Sequence, residues 1–331
     1  MTATERAAAP TMNHKAQVKI AAAQIAPVFM NKAATTAKVC KMIREAGEQG
    51  AKVIGFPECC IPGYPGWGQT QLAGGAKAIG LYKQQFYESV EVPGPETDLI
   101  AQACREASMY AVVGINERLA NTTGTTFNTQ IIIDPNGEIV NKHQKYVPTV
   151  TERLVHAPGG TGTTVSTKTE FGTLSGLICG ENCNPMALYS LSLEYPTVHV
   201  ASWPAHFGPG SSTQEDILAV TKGMAYNLGC FIINSVSINC DSTIDAYTWD
   251  SAEAREWMLS QRELDHTGGA RATILDPSGK LLAGPLPAGE GILYADANIE
   301  DVLVNKFMVD VAGHYQRPEL FAHHFEKYIK K

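Results

Sequence analysis

Short apolar runs that stop at Pro, Gly or a reactive side chain, alternating with segments of helical periodicity, restrict the fold of this chain more than any other feature. Residues 18–25 (VKIAAAQI), 52–56 (KVIGF), 110–115 (YAVVGI), 172–178 (GTLSGLI) and 197–202 (TVHVAS) are expected to be buried strands. Between them, residues 31–50, 97–109, 185–194 and 214–228 place apolar side chains at helical spacing, and the first of these ends on a glycine. Two further segments, TQIIIDPNGEIVNK (129–142) and RATILDPSGKLLAG (271–284), share a β-branched run, an Asp-Pro-x-Gly turn and a second short run. Each predicts a β-hairpin. Strands and helices in alternation, with hairpins at two remote points and no linker between, imply one layered α/β domain over residues 17–299. It is flanked by a polar, Ala-rich arm (1–16) and by an amphipathic, aromatic tail (300–331) suited to a subunit interface.

Composition narrows the function. With 331 residues, 44% of them hydrophobic and 18% charged, the chain can build a large core. A formal charge of -7 offers no basic field for a phosphate backbone, so nucleic acid is excluded as an expected partner. No apolar run approaches a membrane span and the first residues lack the apolar core of a secretion signal, so the expectation is a soluble cytoplasmic protein. Eight cysteines are too sparse for a disulfide scaffold. A special cysteine must be argued individually.

Three reactive residues stand where strands stop. Glu58 follows Phe-Pro after the second run, Lys145 follows the first hairpin, and Cys179 ends LSGLIC just before Gly-Glu-Asn. Taken singly, each has an ordinary reading as a small core residue, a cap or ion pair, and a solvated cation. Strand ends in an α/β sheet collect into one rim, however, so the three can converge. A thiol with an ordinary pKa of about 8.5 needs a base to take its proton or a cation to favour its thiolate. Glu58 can supply the first and Lys145 the second. The ammonium, with the backbone N–H of Gly180 at an expected helix start, can also stabilise charge developing on a C–N multiple bond under attack.

These segments, FPE, HQKYVPTVTER and GLICGENCNP in this order, resemble the nitrilase superfamily, whose signature is a Glu-Lys-Cys triad. The resemblance extends to PGYPGW (62–67), SWPAHF (202–207) and VAGHYQRPELF (311–321), and it is closest to the true nitrilase branch. It implies a four-layer α-β-β-α sandwich, paired into a homodimer or a larger spiral. It also implies a nucleophilic Cys179, a general base Glu58, a charge-stabilising Lys145 and a second glutamate, Glu152, that orders Lys145. The implied reaction is hydrolysis of an organic nitrile to a carboxylic acid and ammonia through a thioimidate and a thioester, with no metal or organic cofactor. Two departures stand out. Gly180 replaces the Trp that commonly follows the nucleophile, which puts the partition between acid and amide in question, and Asn227 stands where relatives often carry a glutamate. Rival functions are an amidase or a nitrile- or cyanide-hydrating enzyme on the same triad, and a ligand-binding or filament-forming protein that keeps the fold without turnover.

Other features weigh less. Tyr64, Trp67, Trp203 and His206 lie on loops after apolar strands and are candidates for enclosing the substrate, with core or interface packing as the alternative. Cys179 and Cys183 are at best half a metal site, and Cys59-Cys60 are expected to pack as small residues behind the base. GGTGTT (159–164) lacks the ending of a phosphate loop, and Asn121-Thr122-Thr123 is a polar loop. No G-x-S-x-G elbow is present. His143, His314, His323 and His324 are expected at the surface or an interface.

Overall fold

The computed structural model describes residues 10–71, 73–160, 165–205, 213–249, 251–267 and 270–329. Among the described residues, twelve strands form one continuous sheet system: β1 (Gln17–Ile25), β2 (Val53–Gly55), β3 (Tyr110–Arg118), β4 (Thr126–Ile133), β5 (Ile139–Gln144), β6 (Ser166–Thr169), β7 (Gly172–Ile178), β8 (Pro196–Trp203), β9 (Phe231–Ser237), β10 (Thr273–Leu275), β11 (Leu281–Ala283) and β12 (Gly291–Asn298). The helices are α1 (Lys32–Glu48), α2 (Trp67–Thr70), α3 (Ala76–Glu88), α4 (Pro95–Ala107), α5 (Pro185–Ser192), α6 (Thr213–Leu228), α7 (Asp241–Thr248), α8 (Ala252–Thr267), α9 (Asp301–Met308) and α10 (Pro318–Ile329).

The chain builds the same half twice. In the first, β1, β2 and β3 run parallel, and β4 and β5 follow as an antiparallel hairpin. In the second, β7, β8 and β9 run parallel, and the β10–β11 hairpin pairs antiparallel to β9. The two Asp-Pro-x-Gly turns foreseen in the sequence close these hairpins, with Gly137 and Gly279 at φ 79° and 80° donating to the carbonyls of Asp134 and Asp276. The halves meet where Gln24 and Ile25 of β1 pair with Val236 and Ser237 of β9. β12, which the sequence pattern did not disclose, returns to pair along nearly all of β1.

Side-chain alternation then stacks the layers. On β1, Val18, Ile20 and Ala22 enter the core shared with β7–β10 and α6, whereas Ala21, Ala23 and Ile25 join the buried face of α1 and α4. The result is α1/α4, sheet, sheet, α5/α6: the α-β-β-α sandwich that the family resemblance implied. Helices α3, α7 and α8 were not anticipated either. With α2 they surround a smaller apolar cluster containing Trp67, Leu81, Tyr247 and Met258, beside the strand ends. No helix among the described residues is long and apolar enough to cross a membrane.

Candidate active site

Each of the three reactive residues leaves the sheet just past a strand. After β2, Phe56 still donates to the Val112 carbonyl, and the chain then turns through Pro57 and Glu58 to Cys59 at φ 46°. Gly114 of β3 makes room for this turn, since a Cβ there would lie 2.1 Å from the Pro57 carbonyl oxygen and 2.9 Å from the Cys59 nitrogen. Lys145 follows β5, and its N–H donates to the Asn128 carbonyl at 2.8 Å, which holds it opposite Asn128 near the start of β4. Cys179 follows β7 at φ 49°, a left-handed conformation strained for a side-chain-bearing residue, and opens a 3₁₀ turn over Cys179–Cys183. Asn182 donates back to the Cys179 carbonyl at 3.0 Å and steadies that elbow.

Glu58, Lys145 and Glu152 converge in a closed ion cluster, each 1% exposed or less. Lys145 Nζ donates to Glu58 Oε1 and Glu152 Oε2, both at 2.6 Å. The amide of Asn128 donates to Glu58 Oε1 and Glu152 Oε1, again at 2.6 Å each. Glu152 also closes a capping box, its Oε2 accepting the Thr149 N–H at 2.8 Å, so the T-x-x-E of PTVTER is what orients the carboxylate. Glu58 Oε2 accepts no hydrogen bond among the described residues. Glu58 thus has one oxygen tied to the ammonium and one unshared.

Electrostatics sort these groups. Burial pushes the Glu58 carboxyl up to about 7, against the pull of Lys145. Glu152 suffers burial too, but His156 and Lys145 outweigh it and hold its carboxyl at about 2. Lys145 loses solvation, yet the charges of Glu58, Cys179 and Glu152 keep it protonated well above the usual lysine range. Burial and the Glu58 charge push the Cys179 thiol well up, with Lys145 opposing. The resting sulfur is therefore a thiol beside a carboxylate able to take its proton. Cys59 also adjoins Glu58 but is fully buried, whereas Cys179 is partly exposed.

A third carboxylate holds the frame. Glu181 accepts the N–H of Ile178 at 2.9 Å and that of Tyr146 at 2.7 Å, so one side chain ties the residue before Cys179 to the residue after Lys145. His143 Nε2 stands 2.9 Å from the same carboxylate. His143 is 1% exposed, which corrects its expected surface position: the strand-end carboxylate draws it inward as a buried partner. Neither Glu181 nor Asn128 was singled out in the sequence. A polar residue inside the apolar run FNTQIII, and a glutamate three residues past the end of β7, are the signals that were there to use.

The expected substrate-facing residues divide. Tyr64 is buried next to the cluster, its hydroxyl pushed up by burial and by the charges of Glu58, Glu152 and Cys179. Trp67 belongs to the α2/α3/α7 apolar cluster and donates from Nε1 to Gln85 Oε1 at 2.7 Å. Trp203 packs in the core, where it is 4% exposed and its indole donates to Asn234 Oδ1 at 2.9 Å. In both tryptophans the single N–H found an internal amide, which fixes the ring inside. His206 and part of GGTGTT lie outside the described residues. Gly180 is exposed, and a Cβ there would meet only Thr149 Oγ1 at 3.7 Å. Asn227 is exposed on α6.

A partly exposed thiol beside a buried carboxylate–ammonium pair, at the strand ends of a four-layer sandwich, is the arrangement of a hydrolase acting on carbon–nitrogen bonds. Comparison with known proteins leads to the same class, because a profile of the carbon-nitrogen hydrolase family matches residues 19–303. The chain belongs to that family. It is 34% identical to a nitrilase of Paraburkholderia phymatum over 94% of this chain and 87% of that protein. It is 31% identical to an aliphatic nitrilase of Rhodococcus rhodochrous over 95% and 80%, and 31% identical to an arylacetonitrilase of Aspergillus oryzae over 94% and 91%. Among solved structures, a carbon-nitrogen hydrolase from Helicobacter pylori shares the fold with a TM-score of 0.70 at 15% identity, over 94% of this chain and 99% of that one. An amidase from Nesterenkonia sp. does so with a TM-score of 0.64 at 14% identity, over 94% and 98%.

Proposed function

We propose that this protein is a nitrilase that converts an organic nitrile and two waters to a carboxylic acid and ammonia through a covalent bond to Cys179. The observation that carries the mechanism is the unshared Oε2 of Glu58, in a carboxylate whose other oxygen is bound to Lys145. As sulfur attacks the nitrile carbon, the thiol proton passes to Glu58 and is delivered onward to the nitrile nitrogen, giving a thioimidate. Water activated by Glu58 adds to that carbon, ammonia leaves with a further proton, and a thioester remains. A second water releases the acid and restores the thiol. Lys145 and the Gly180 N–H stabilise negative charge on the substrate in each tetrahedral stage. Glu152 and Asn128 keep the ammonium and the base in register.

The test is product analysis with a panel of nitriles. Ammonia and carboxylic acid in equal amounts are expected, and amide alone would replace this proposal with a nitrile-hydrating enzyme. The open wall at Gly180 makes the acid-to-amide ratio the informative quantity. Glu58→Gln is expected to slow single-turnover acylation by about 10²–10⁴-fold while leaving the fold intact, and acylation at the original rate would remove Glu58 as the base.

The raised carboxyl of Glu58 also sets a pH dependence. The base acts only when ionised, so kcat/KM should fall as pH drops through about 7. On the alkaline side the profile should stay level, because the thiol and the ammonium are both pushed upward. A profile flat through pH 5–8 would contradict this.

All eight cysteines are unpaired, which suits the reducing cytoplasm. Association into a dimer or larger homo-oligomer through the tail is supported by the apolar residues exposed on α9 and α10, among them Val304, Phe307, Phe321 and Tyr328.

A further inference from the structure

Behind Glu152 lies a chain of buried amides whose orientation can be read from one end to the other. The Trp67 indole is only a donor, and it donates to Gln85 Oε1. The amide nitrogen of Gln85 therefore points the other way, and it donates to Asn116 Oδ1 at 2.8 Å. Asn116 is fixed independently, since its own nitrogen donates to the Gly63 carbonyl at 2.9 Å and its Oδ1 must be the acceptor. His156 Nε2 stands 2.7 Å from that same Oδ1. A carbonyl oxygen already turned toward donors admits only a proton there, so Nε2 carries hydrogen.

The other ring nitrogen, Nδ1, lies 3.5 Å from Glu152 Oε1 and has no closer hydrogen-bond partner among the described residues. Were the ring neutral with its proton on Nε2, a nitrogen lone pair would face an anionic oxygen in a site without solvent. His156 is 4% exposed, and Glu152 is fully buried. We infer that His156 is protonated on both nitrogens and supplies the second positive charge of the active site, acting as a positioning residue through Glu152.

The charge balance then explains how Glu152 stays ionised while Glu58, raised to about 7, can still ionise near neutral pH. Glu58 and Glu152 are two anions, and Lys145 with His156 are two cations. With a neutral residue at 156, Lys145 alone would face both carboxylates, and one of them would take up a proton. Glu152 is bound by the Thr149 N–H and Asn128 as well as by Lys145, whereas Glu58 lacks a donor to Oε2, so the proton would go to Glu58, the base. Burial draws the His156 imidazole below its ordinary value, Glu152 in the turn just before it opposes this, and Lys145, one contact further on, adds to it; the doubly protonated ring requires the contact with Glu152 to outweigh burial. Asn116 from β3 and Gln85 from α3 face this network as neutral amides.

The inference rests on Glu58 as base for its kinetic consequence but not for its spectroscopic one, and the two can be separated. With ring-¹⁵N-labelled histidine at pH 7, the resting enzyme should show one imidazole with both nitrogens protonated that disappears in His156→Gln. In Glu152→Gln the same ring should revert to one unprotonated nitrogen. An unprotonated Nδ1 at pH 7 in the unsubstituted protein would overturn the assignment, whatever the catalytic role of Glu58. In kinetics, His156→Gln keeps a donor toward Asn116 and removes the charge, and its acid limb of kcat/KM should move up by about one pH unit. His156→Asn, which keeps a donor toward Glu152, should shift in the same direction and serves if the first variant does not fold. An unmoved limb in a folded variant would show that His156 does not set the charge of the base.

Discussion

Cys179→Ala should lose at least about 10⁵-fold in kcat while folding normally, because in the proposed mechanism it removes the atom to which substrate is joined and little else. The side chain is partly exposed at the tip of β7, and the backbone elbow is held by Glu181 and Asn182 rather than by the sulfur. Intact-protein mass after incubation with a slow nitrile gives the decisive comparison. The unsubstituted protein should gain the full mass of the nitrile as thioimidate, or that of the acyl group as thioester. The variant should gain neither. The natural competitor is Cys59, also next to Glu58, but it is shut away from solvent and its thiol is pushed well up by burial. An adduct that persists in Cys179→Ala and maps to Cys59 would move the chemistry to the other sulfur and sink the mechanism.

Lys145→Met should be the most damaging change to stability in the site. Methionine fills a similar volume, so packing is largely kept, but two buried carboxylates lose the ammonium that lies 2.6 Å from each. Breaking a buried ion pair by removing one partner costs about 3–5 kcal/mol, since the remaining charge has no solvent to replace it. The sign of the pH dependence follows. In the unsubstituted protein Glu152 titrates below the normal glutamate range, so its stabilising contribution is present above that range and lost as pH falls toward about 2. Glu58, already raised to about 7, costs the unsubstituted protein some stability as pH rises toward that value; without the ammonium both carboxyls titrate higher, so the variant loses more stability and goes on losing it to higher pH. The gap between the two proteins in urea denaturation should therefore widen from pH 5 to pH 8. Equal stability at pH 8 would mean that the cluster is not the tight ionic unit described, and turnover surviving in the variant would remove Lys145 from charge stabilisation.

Much of the site could be read from the linear chain because the reactive types are chemically conspicuous and sit at strand ends. Glu58 follows a Phe-Pro stop, Lys145 a hairpin, and Cys179 an apolar run with a helical turn behind it. The supporting residues gave no comparable sign. Asn128 looks like any polar residue in a strand until Lys145 hydrogen-bonds to its carbonyl across the ladder. Gln85, Asn116 and His156 come from a helix, a strand and a loop, and they mean something only as a line of donors and acceptors ending at Glu152. Trp203 shows the converse case. An aromatic at the end of a strand is as good a wall as it is a core residue, and the deciding fact is that Asn234 lies 2.9 Å from its indole nitrogen.

The alternation of strands and helices, the two hairpin turns and the placing of Glu58, Lys145 and Cys179 at strand ends were legible in the linear chain, because hydrophobic period and turn chemistry are local properties. Folding in three dimensions was needed to leave one oxygen of Glu58 unshared, to set His156 Nε2 against Asn116 Oδ1, and to let Glu181 tie the Cys179 elbow to the Lys145 strand. Those are matters of distance and desolvation between residues tens of positions apart, and no local pattern encodes them.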